Sequence, residues 1–412
     1  MSCERQHTTC GGTNCPRRSG APVALWATIA FVMTKLTRRG FLMTASAATL
    51  TAAASASLAA PVSASSGRKR VFAGSNRPEG ILAFDWNPAT GELTAAGVAA
   101  KLENADWITY SPGREFLYAS SEVDSFNGKP TGVVASFRVA KGELQPLSAQ
   151  NSASKGTCHV ALDRTGRVLL AADYGGGSAA SFLVSDGRLR PAVWTEHYTG
   201  HGPNKDRQQS AHAHFASFSP DNRFAYFNDL GEDCIHIYWL NAETATLTPV
   251  GSYKAKPGAG PRTLHFHPNG HTAYSINELD STVDVLELDE AHGSLTLVKR
   301  IELLPAGYTG DTHGCDTVIS KDGKCVYFAN RGDNSIYFFH ADEKTGSLTR
   351  EGRFDCGGKT PRSFVLDPTE RWMLVANQSS NQISIFARNP ETGTLAAEGK
   401  SIPVAEPMCI LF

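Results

Sequence analysis

Apolar residues recur along this 412-residue chain in short runs that are separated by polar turns, a pattern typical of β-strands. One unit repeats: an apolar strand that ends on Asn, Asp or Ser, a short turn, a second apolar strand, and a polar turn such as Thr345-Gly-Ser-Leu348. The polar residue that ends the first strand, here called the marker, returns about every 50 residues. The markers are Ser75, Ser121, Asp173, Asp229, Asn277, Asn330 and Asn377. This period with all-β patterning predicts a seven-bladed β-propeller.

The inner strands predict how the ring closes. Six of the seven markers are preceded by a short apolar strand and a tight turn, such as Phe218-Ser-Pro-Asp-Asn-Arg223, whose Pro, Asp and Asn favour a reversal of the chain. The first marker strand has no such segment upstream, and residues 406–412 look like an inner strand with no blade after it. We therefore predict that the C-terminal strand completes the first blade and removes the exposed edges of an open array.

Composition narrows the class of protein. The repeat favours one large domain over residues 68–412, after an N-terminal extension over residues 1–64. With 41% hydrophobic and 19% charged residues, the chain has the composition of a soluble globular protein. The 39 Lys and Arg residues nearly balance the 40 Asp and Glu residues and form no basic stripe in the propeller, so we expect no nucleic-acid partner.

Residues 34–64 resemble a twin-arginine (Tat) signal peptide. Arg38-Arg39 precede Phe41-Leu42, an Ala-rich run follows, and Val62-Ser63-Ala64 offers a cleavage site of small residues. The apolar run is short and rich in Ala, Ser and Thr, so we expect no stable membrane anchor. The sequence thus predicts recognition by the Tat export machinery and a periplasmic or secreted protein.

The cysteines give no sign of a metal site or of disulfides. Six of the nine cysteines fall in the propeller, and the chain has neither a CxxC pair nor an HExxH motif, so we expect no metal and no other cofactor. Tat cargo folds in the reducing cytoplasm, which agrees with buried, unpaired thiols.

Charged side chains gather where the inner strands begin. In a propeller these strands line the central channel, and their first residues surround one end of it. The candidates there are His159, His212, His214, Arg262, Asp316 and Arg362. His159 and Asp316 are offset by one residue from His214, Arg262 and Arg362, which changes the face they occupy unless the strands bulge. We interpret the cluster as a binding site for a carboxylate or an oxyanion; the alternative is that it only lines a wet channel.

Two further elements reach the same end of the channel. A long polar loop over residues 202–209 carries Arg207, and Glu278 directly follows the marker Asn277. Loops of this kind often carry functional residues.

These motifs together resemble the seven-bladed lactonase family, which includes propeller-type 6-phosphogluconolactonases and the fungal carboxymuconate-lactonising enzyme. The resemblance covers about residues 70–412. Its strongest stretches are Gly260-Pro-Arg-Thr-Leu-His-Phe-His-Pro268, Tyr274-Ser-Ile-Asn-Glu-Leu279, Thr360-Pro-Arg-Ser-Phe-Val-Leu-Asp-Pro368, Cys158-His-Val-Ala-Leu-Asp163 and Asn204-Lys-Asp-Arg-Gln208. It implies a metal-independent lactonase, a carboxylic-ester hydrolase that takes a small lactone or carboxylate as substrate.

The resemblance also suggests roles for individual residues. The muconate enzyme has a proposed catalytic set of one His, two Arg and one Glu; His159, Arg207 and Arg262 fit it by motif. Glu278 is chosen over Glu232 as the Glu. His159 would activate water, Arg262 and Arg207 would hold the carbonyl oxygen, and Glu278 or Asp316 would orient water or protonate the leaving oxygen. The expected substrate-binding residues are His212, His214, Asp316 and Arg362.

The most favoured function is therefore an exported lactonase that hydrolyses an aldonolactone. Export argues against a phosphorylated substrate, because phosphorylated sugars are scarce outside the cytoplasm. Two alternatives remain: a non-catalytic propeller that binds a ligand or a protein, and a lactone-forming cyclase of the carboxymuconate type.

Overall fold

The computed structural model describes residues 69–412. The predicted signal peptide and the rest of the N-terminal extension lie outside the described residues. From residue 69 onward the regular elements are all β-strands, and this part contains no helix long and apolar enough to cross a membrane. The strands form seven antiparallel four-stranded sheets, which confirms the all-β, seven-bladed propeller.

Each blade is built from consecutive strands, except that the C-terminal strand joins the first blade. Blade 1 contains β1 (Lys69–Ser75), β2 (Ile81–Asn87) and β3 (Glu92–Ala100). Blade 2 contains β4 (Ala105–Tyr110), β5 (Phe116–Ser121), β6 (Val133–Ala140) and β7 (Glu143–Asn151). Blade 3 contains β8 (Thr157–Leu162), β9 (Val168–Asp173), β10 (Ser178–Ser185) and β11 (Arg188–His197). Blade 4 contains β12 (Ala213–Phe218), β13 (Phe224–Asp229), β14 (Cys234–Asn241) and β15 (Thr246–Lys254).

The remaining blades follow the same order. Blade 5 contains β16 (Pro261–Phe266), β17 (Thr272–Asn277), β18 (Thr282–Leu288) and β19 (Leu295–Glu302). Blade 6 contains β20 (His313–Ile319), β21 (Cys325–Arg331), β22 (Ser335–Ala341) and β23 (Leu348–Asp355). Blade 7 contains β24 (Pro361–Leu366), β25 (Trp372–Asn377), β26 (Gln382–Ala387) and β27 (Lys400–Pro403). The C-terminal strand is β28 (Pro407–Leu411).

The C-terminal strand closes the ring as predicted. It is the innermost strand of blade 1, in the order β28-β1-β2-β3, and it pairs antiparallel with β1 so that Phe72 faces Leu411. The Phe412 ring meets the Trp86 ring edge-on at 5.6 Å between centroids, and the Phe412 backbone oxygen accepts a hydrogen bond from Arg114. The end of the chain is therefore an integral part of the first blade.

Apolar side chains fill the spaces between neighbouring blades. Blades 1 and 7, for example, share a core that includes Val71, Phe84 and Trp86 from one and Leu374 and Ile385 from the other. The six cysteines that the structure describes are all buried free thiols, as predicted. They are Cys158, Cys234, Cys315, Cys325, Cys356 and Cys409.

The marker residues have a structural role at the end of each second strand. All seven are buried. Five of them bind backbone groups, namely Ser75, Ser121, Asp173, Asp229 and Asn377, whereas Asn277 and Asn330 bind neighbouring side chains. The Asp173 carboxylate, for example, accepts hydrogen bonds from the Ser154 N–H at 2.9 Å and from the Thr157 hydroxyl at 2.6 Å. The periodic polar residue thus ties the chain that enters a blade to the strand beside it.

The inner strands contain a bulge near their beginning. In β16, Pro261 pairs with Asn277 and Thr263 with Ile276, so that Arg262 is skipped in the ladder. A bulge re-aims the skipped side chain. The skipped residues are Asp106 with Trp107, Cys158, His214, Arg262, Cys315 with Asp316, Arg362 and Met408.

Candidate active site

A cavity of about 200 Å³ lies where the bulges and the markers meet. Its walls come from three sources: residues that directly follow a marker, residues skipped in the bulges, and one side chain from the 202–209 loop. They are Asn76, Glu122, Tyr174, Glu278, Arg331 and Gln378 from the first source, Cys158, His214, Arg362 and Met408 from the second, and Arg207 from the third. All seven blades therefore contribute to this one cavity.

A much smaller hollow adjoins the cavity. Its volume is about 10 Å³, roughly the room that one water molecule needs. The two spaces share Cys158, His214, Arg362 and Met408, and the hollow adds Asp106, Trp107, His159, Phe215, Arg262 and Thr263. Six of the eight predicted site residues line one or both of these spaces, whereas His212 and Asp316 are part of neither described lining.

Glu278 is the centre of the charged cluster. Its carboxylate is buried and lies 2.6 Å from Nη2 of Arg207, 3.1 Å from Nε of Arg262 and 2.7 Å from Nη2 of Arg331. Burial alone would raise the pKa of Glu278, but the guanidinium groups, Arg331 foremost, hold that pKa well below its usual range. Glu278 is therefore ionised and orients three arginines. It is not a proton donor.

Arg207 is presented by a loop with internal hydrogen bonds. The Asn204 side chain accepts the Arg207 N–H at 3.1 Å, and the buried Gln208 amide donates to the Leu230 carbonyl at 2.8 Å. The Arg207 guanidinium also donates to the Tyr174 hydroxyl at 3.1 Å. The loop therefore aims this side chain into the cavity, as the sequence led us to expect.

His212 and His214 occupy different positions. His212 stacks on the Tyr174 ring at 4.6 Å and places Nδ1 2.9 Å from the Tyr174 carbonyl oxygen, so it supports the cavity wall rather than forming it. His214 lines the cavity, and its Nδ1 has no hydrogen-bond partner within residues 69–412. Burial, with help from Arg262, lowers the pKa of His214 well below its usual range, so this imidazole is neutral.

His159 lies one position away from the ring of bulge residues. In β8 the skipped residue is Cys158, and His159 pairs with Ala172 in the regular ladder. Its ring packs against the Phe215 ring in the small hollow, with 3.9 Å between the ring centroids. Its Nδ1 accepts the Ala216 N–H at 3.2 Å. Burial keeps the pKa of His159 well below its usual range, so the ring is neutral and Nε2 carries the proton. The one-residue offset from Arg262 that the spacing indicated is therefore present in the structure.

Arg362 belongs to an acidic corner of the cavity. Its Nη2 donates to Oδ2 of the buried Asp106 at 2.9 Å. Glu122 lines the same cavity, and burial, followed by the nearby negative charge of Asp106, raises the pKa of Glu122 to about 8. Glu122 is thus mostly protonated at neutral pH, in contrast to Glu278.

Asp316 and Glu232 lie elsewhere. Asp316 is buried in the β20 bulge, where its carboxylate is 3.6 Å from Nε2 of His265 and accepts the Thr317 N–H. Glu232 accepts the Gly200 N–H at 2.5 Å at the base of the 202–209 loop. Neither residue is part of the described cavity lining, and this position agrees with the choice of Glu278 over Glu232.

Sequence reasoning missed several residues of the cavity, although a signal for them existed. Tyr174, Glu122 and Arg331 each follow a marker directly, in the same way as Glu278. Examining the residue that follows the marker in every blade, as was done for Glu278, would have found them. Cys158 was hidden by the one-residue offset, which only the bulge explains.

The fold and the site together define a closed propeller with a cationic, titratable cavity to which every blade contributes. Among the charged groups at neutral pH, the guanidinium groups of Arg207, Arg262, Arg331 and Arg362 outnumber the carboxylates of Glu278 and Asp106. Such a cavity suits a small ligand that carries, or develops, negative charge.

Comparison with known proteins assigns the family. The family model described as "Lactonase, 7-bladed beta-propeller" matches residues 70–412, and the chain belongs to this family. A 6-phosphogluconolactonase from Bacillus subtilis is 33% identical over 337 residues, which cover 81% of this chain and 94% of that protein. A 6-phosphogluconolactonase from Formosa agariphila is 33% identical over 305 residues, which cover 72% of this chain and 85% of that protein.

Solved structures agree with this assignment. The structure of a periplasmic gluconolactonase from Pseudomonas aeruginosa is similar, with a TM-score of 0.77 and 30% identity over 83% of this chain and 98% of that one. The predicted class, a hydrolase of the lactonase type, is thus confirmed.

Proposed function

We propose that this protein is an exported lactonase that hydrolyses a sugar lactone, an aldonolactone such as gluconolactone. The cavity carries the proposal: guanidinium groups converge on one small space beside a neutral imidazole, His214, and a largely protonated carboxyl group, Glu122. These are the three kinds of group that lactone opening needs: donors for an oxyanion, a base for water and an acid for the leaving oxygen.

The arginines would stabilise the transition state. When water attacks the lactone carbonyl carbon, the carbonyl oxygen gains negative charge. Arg207 and Arg331 line the cavity, with Arg262 behind them, and the Glu278 carboxylate fixes the directions of all three guanidinium groups. Donors that are held in place before the reaction are worth about 2.7–4 kcal/mol each in comparable oxyanion sites.

Proton transfer would involve His214 and Glu122. His214 is neutral and lines the cavity, so it is placed to take a proton from water as the new C–O bond forms. When the ring C–O bond breaks, the Glu122 carboxyl group gives its proton to the departing alkoxide oxygen. The proton on His214 then returns to Glu122 through solvent, and the product is an open-chain hydroxy acid.

This assignment moves the base from His159 to His214. The Nδ1 atom of His159 is occupied by the Ala216 N–H, and its Nε2 atom carries a proton, so that ring has no free lone pair for water. We propose that His159 instead supports the cavity from beneath through its contacts with Trp107 and Phe215.

Two observations support export and an unphosphorylated substrate. Arg38-Arg39 and the Ala-rich run after them have the pattern of a Tat signal peptide. The similar Pseudomonas aeruginosa enzyme is described as a periplasmic gluconolactonase.

Acid release from a panel of aldonolactones, with and without a 6-phosphate group, tests the proposal. The purified protein is assayed at constant pH, and the spontaneous hydrolysis of each lactone is subtracted. We expect turnover of unphosphorylated lactones, and kcat/KM lower by about 100-fold or more in His214→Ala and Arg262→Ala. His159→Ala should lower it by less than about tenfold, since Nδ1 of that ring accepts the Ala216 N–H and neither ring nitrogen is free to take a proton from water.

The outcomes separate the alternatives. Wild-type rates in His214→Ala would remove the proposed base, and a large loss in His159→Ala alone would return that role to His159. Lactone binding without turnover would favour a binding propeller, and exclusive turnover of 6-phosphorylated lactones would refute the proposed substrate.

A further inference from the structure

Glu232, Cys234 and His236 form a cluster of possible metal ligands outside the cavity. Cys234 and His236 are two residues apart on β14, so their side chains leave the same face of the strand, and Glu232 faces them from the preceding turn. Nδ1 of His236 is 3.8 Å from Sγ of Cys234, and Nε2 is 3.3 Å from a carboxylate oxygen of Glu232. One ligand atom from each residue can be chosen so that all three lie within 4.8 Å of one another.

We propose that Glu232, Cys234 and His236 bind a divalent transition-metal ion of the zinc class. Thiolate and imidazole ligands favour this class over Mg²⁺ or Ca²⁺, which prefer oxygen ligands. Zinc bonds of about 2.0–2.3 Å in a tetrahedral shell place neighbouring ligand atoms roughly 3.3–3.7 Å apart. Only one ring nitrogen of His236 can bind the ion, so the three ligand atoms, which lie within 4.8 Å of one another, must move closer together to reach that geometry.

The charges around the cluster support a cation. Asp229 pairs with Cys234 across β13 and β14, is fully buried, and accepts the Glu232 N–H at 3.0 Å through Oδ1. Its Oδ2 atom has no hydrogen-bond partner among the described residues. Two carboxyl groups therefore face one nearby ammonium group, the exposed Lys254 opposite Cys234.

Neighbouring side chains hold the ligands in place. The Tyr198 ring stacks face to face on the His236 ring at 3.9 Å, and the second oxygen of Glu232 accepts the Gly200 N–H. Contacts of this kind orient metal ligands. The Cys234 thiol is fully buried, which suits a small ion and leaves no approach for an organic substrate.

The cluster is separate from the proposed reaction. The described lining of the cavity includes none of its three residues, so this inference does not rest on the lactonase mechanism. Tyr198 and Gly200 lead into the loop that carries Arg207, and a bound ion would tie the base of that loop to β14. The absence of a CxxC motif does not argue against the site, because these ligands come from a turn and a strand at alternate positions.

Titration with Co²⁺, a spectroscopic substitute for Zn²⁺, tests the site. The purified full-length protein is first treated with a chelator, and the absorbance of the thiolate–cobalt bond is then followed. We expect one Co²⁺ per chain at this site, displaced by Zn²⁺, and a higher melting temperature with Zn²⁺. Cys234→Ser should abolish the thiolate absorbance, while the matched control Cys356→Ser, another buried thiol, should retain it. Glu232→Gln should weaken binding by about tenfold or more while keeping an oxygen for the Gly200 N–H.

Contrary results are easy to recognise. Absence of a thiolate–cobalt band in the wild-type protein would overturn the proposal, as would a band that survives in Cys234→Ser. If Cys234→Ser does not fold, Glu232→Gln decides: unchanged affinity in that variant would overturn the site.

Discussion

Glu278→Gln is the most informative single substitution. Gln has nearly the same shape as Glu but no charge; its carbonyl oxygen still accepts, whereas the NH₂ group that replaces the second carboxylate oxygen can only donate. The change therefore leaves the guanidinium groups of Arg207, Arg262 and Arg331 without their shared counter-charge in a buried place.

The expected magnitude follows from burial. Removing one partner of a buried ion pair costs about 3–5 kcal/mol of unfolding free energy. Only Arg207 is substantially exposed, with 33% of its side chain accessible, so its ion pair with Glu278 contributes little to the unfolding free energy. The total loss of unfolding free energy therefore stays near about 3–5 kcal/mol, the value for one buried pair. For a domain of this size we expect the melting temperature to fall by about 4–7 °C. Because the arginines also lose their fixed directions, kcat/KM should fall by about 100-fold or more.

Asp284→Asn is the matched control. Asp284 is also fully buried and binds Arg300 through both oxygens, at 2.5 and 2.7 Å, but it is not part of the described cavity lining. It should lower stability to a similar extent and leave kcat/KM unchanged well below the melting temperature. Calorimetry and lactone hydrolysis on both variants separate loss of structure from loss of function.

The pH dependence of stability provides a second check. The pKa of Glu278 is lower in the folded protein than in the unfolded chain, so its stabilisation is complete above the unfolded value and is lost as pH falls through the folded value. The stability difference between wild type and Glu278→Gln should therefore be largest at neutral pH and shrink in acid. Equal stability at pH 7, or a difference that does not change with pH, would refute the role of Glu278.

Two further predictions concern ring closure and Glu122. Deleting residues 406–412 removes the buried side chains of Met408, Cys409, Ile410 and Phe412, about 6–12 kcal/mol of apolar burial, comparable to the whole stability of a domain. The truncated protein should be insoluble or unfolded by circular dichroism, and a soluble, fully folded product would contradict the closure argument. Because the pKa of Glu122 is raised to about 8, activity that needs its proton should fall as pH rises through 8. The same raised pKa means that the unfolding free energy of the wild-type protein should decline as pH rises from the unfolded-state pKa of Glu122 to about 8. Glu122→Gln cannot ionise, so both this decline in stability and the loss of activity with rising pH should disappear in that variant.

The architecture was predictable because periodicity survives in the sequence. Each marker is buried and binds nearby backbone or side-chain groups, so a polar residue recurs at the end of each second strand, as Asp173 shows. The unpaired segment at the C-terminus predicted ring closure for an equally local reason, since a strand without a blade needs an edge to bind.

The cavity was only partly predictable. Arg362 and Arg262 followed from the beginnings of the inner strands, and Arg207 followed from the loop motif and the family resemblance. Arg331 and Glu122 also occupied a recognisable periodic position but were overlooked. His159 fitted the catalytic set by motif, but it lies one position beyond Cys158, the residue that the β8 bulge turns toward the cavity.

The sequence by itself therefore determined the number of blades, the closure of the ring and the kinds of side chain near its centre, because each depends on local patterns of strands and turns. Only the tertiary structure decided which residues share the cavity and what their protonation states are. Two glutamates in equivalent positions, Glu122 and Glu278, show why. Burial near Asp106 leaves the first mostly protonated, while three guanidinium groups keep the second ionised, and two of these, on Arg207 and Arg331, reach Glu278 from outside its own blade.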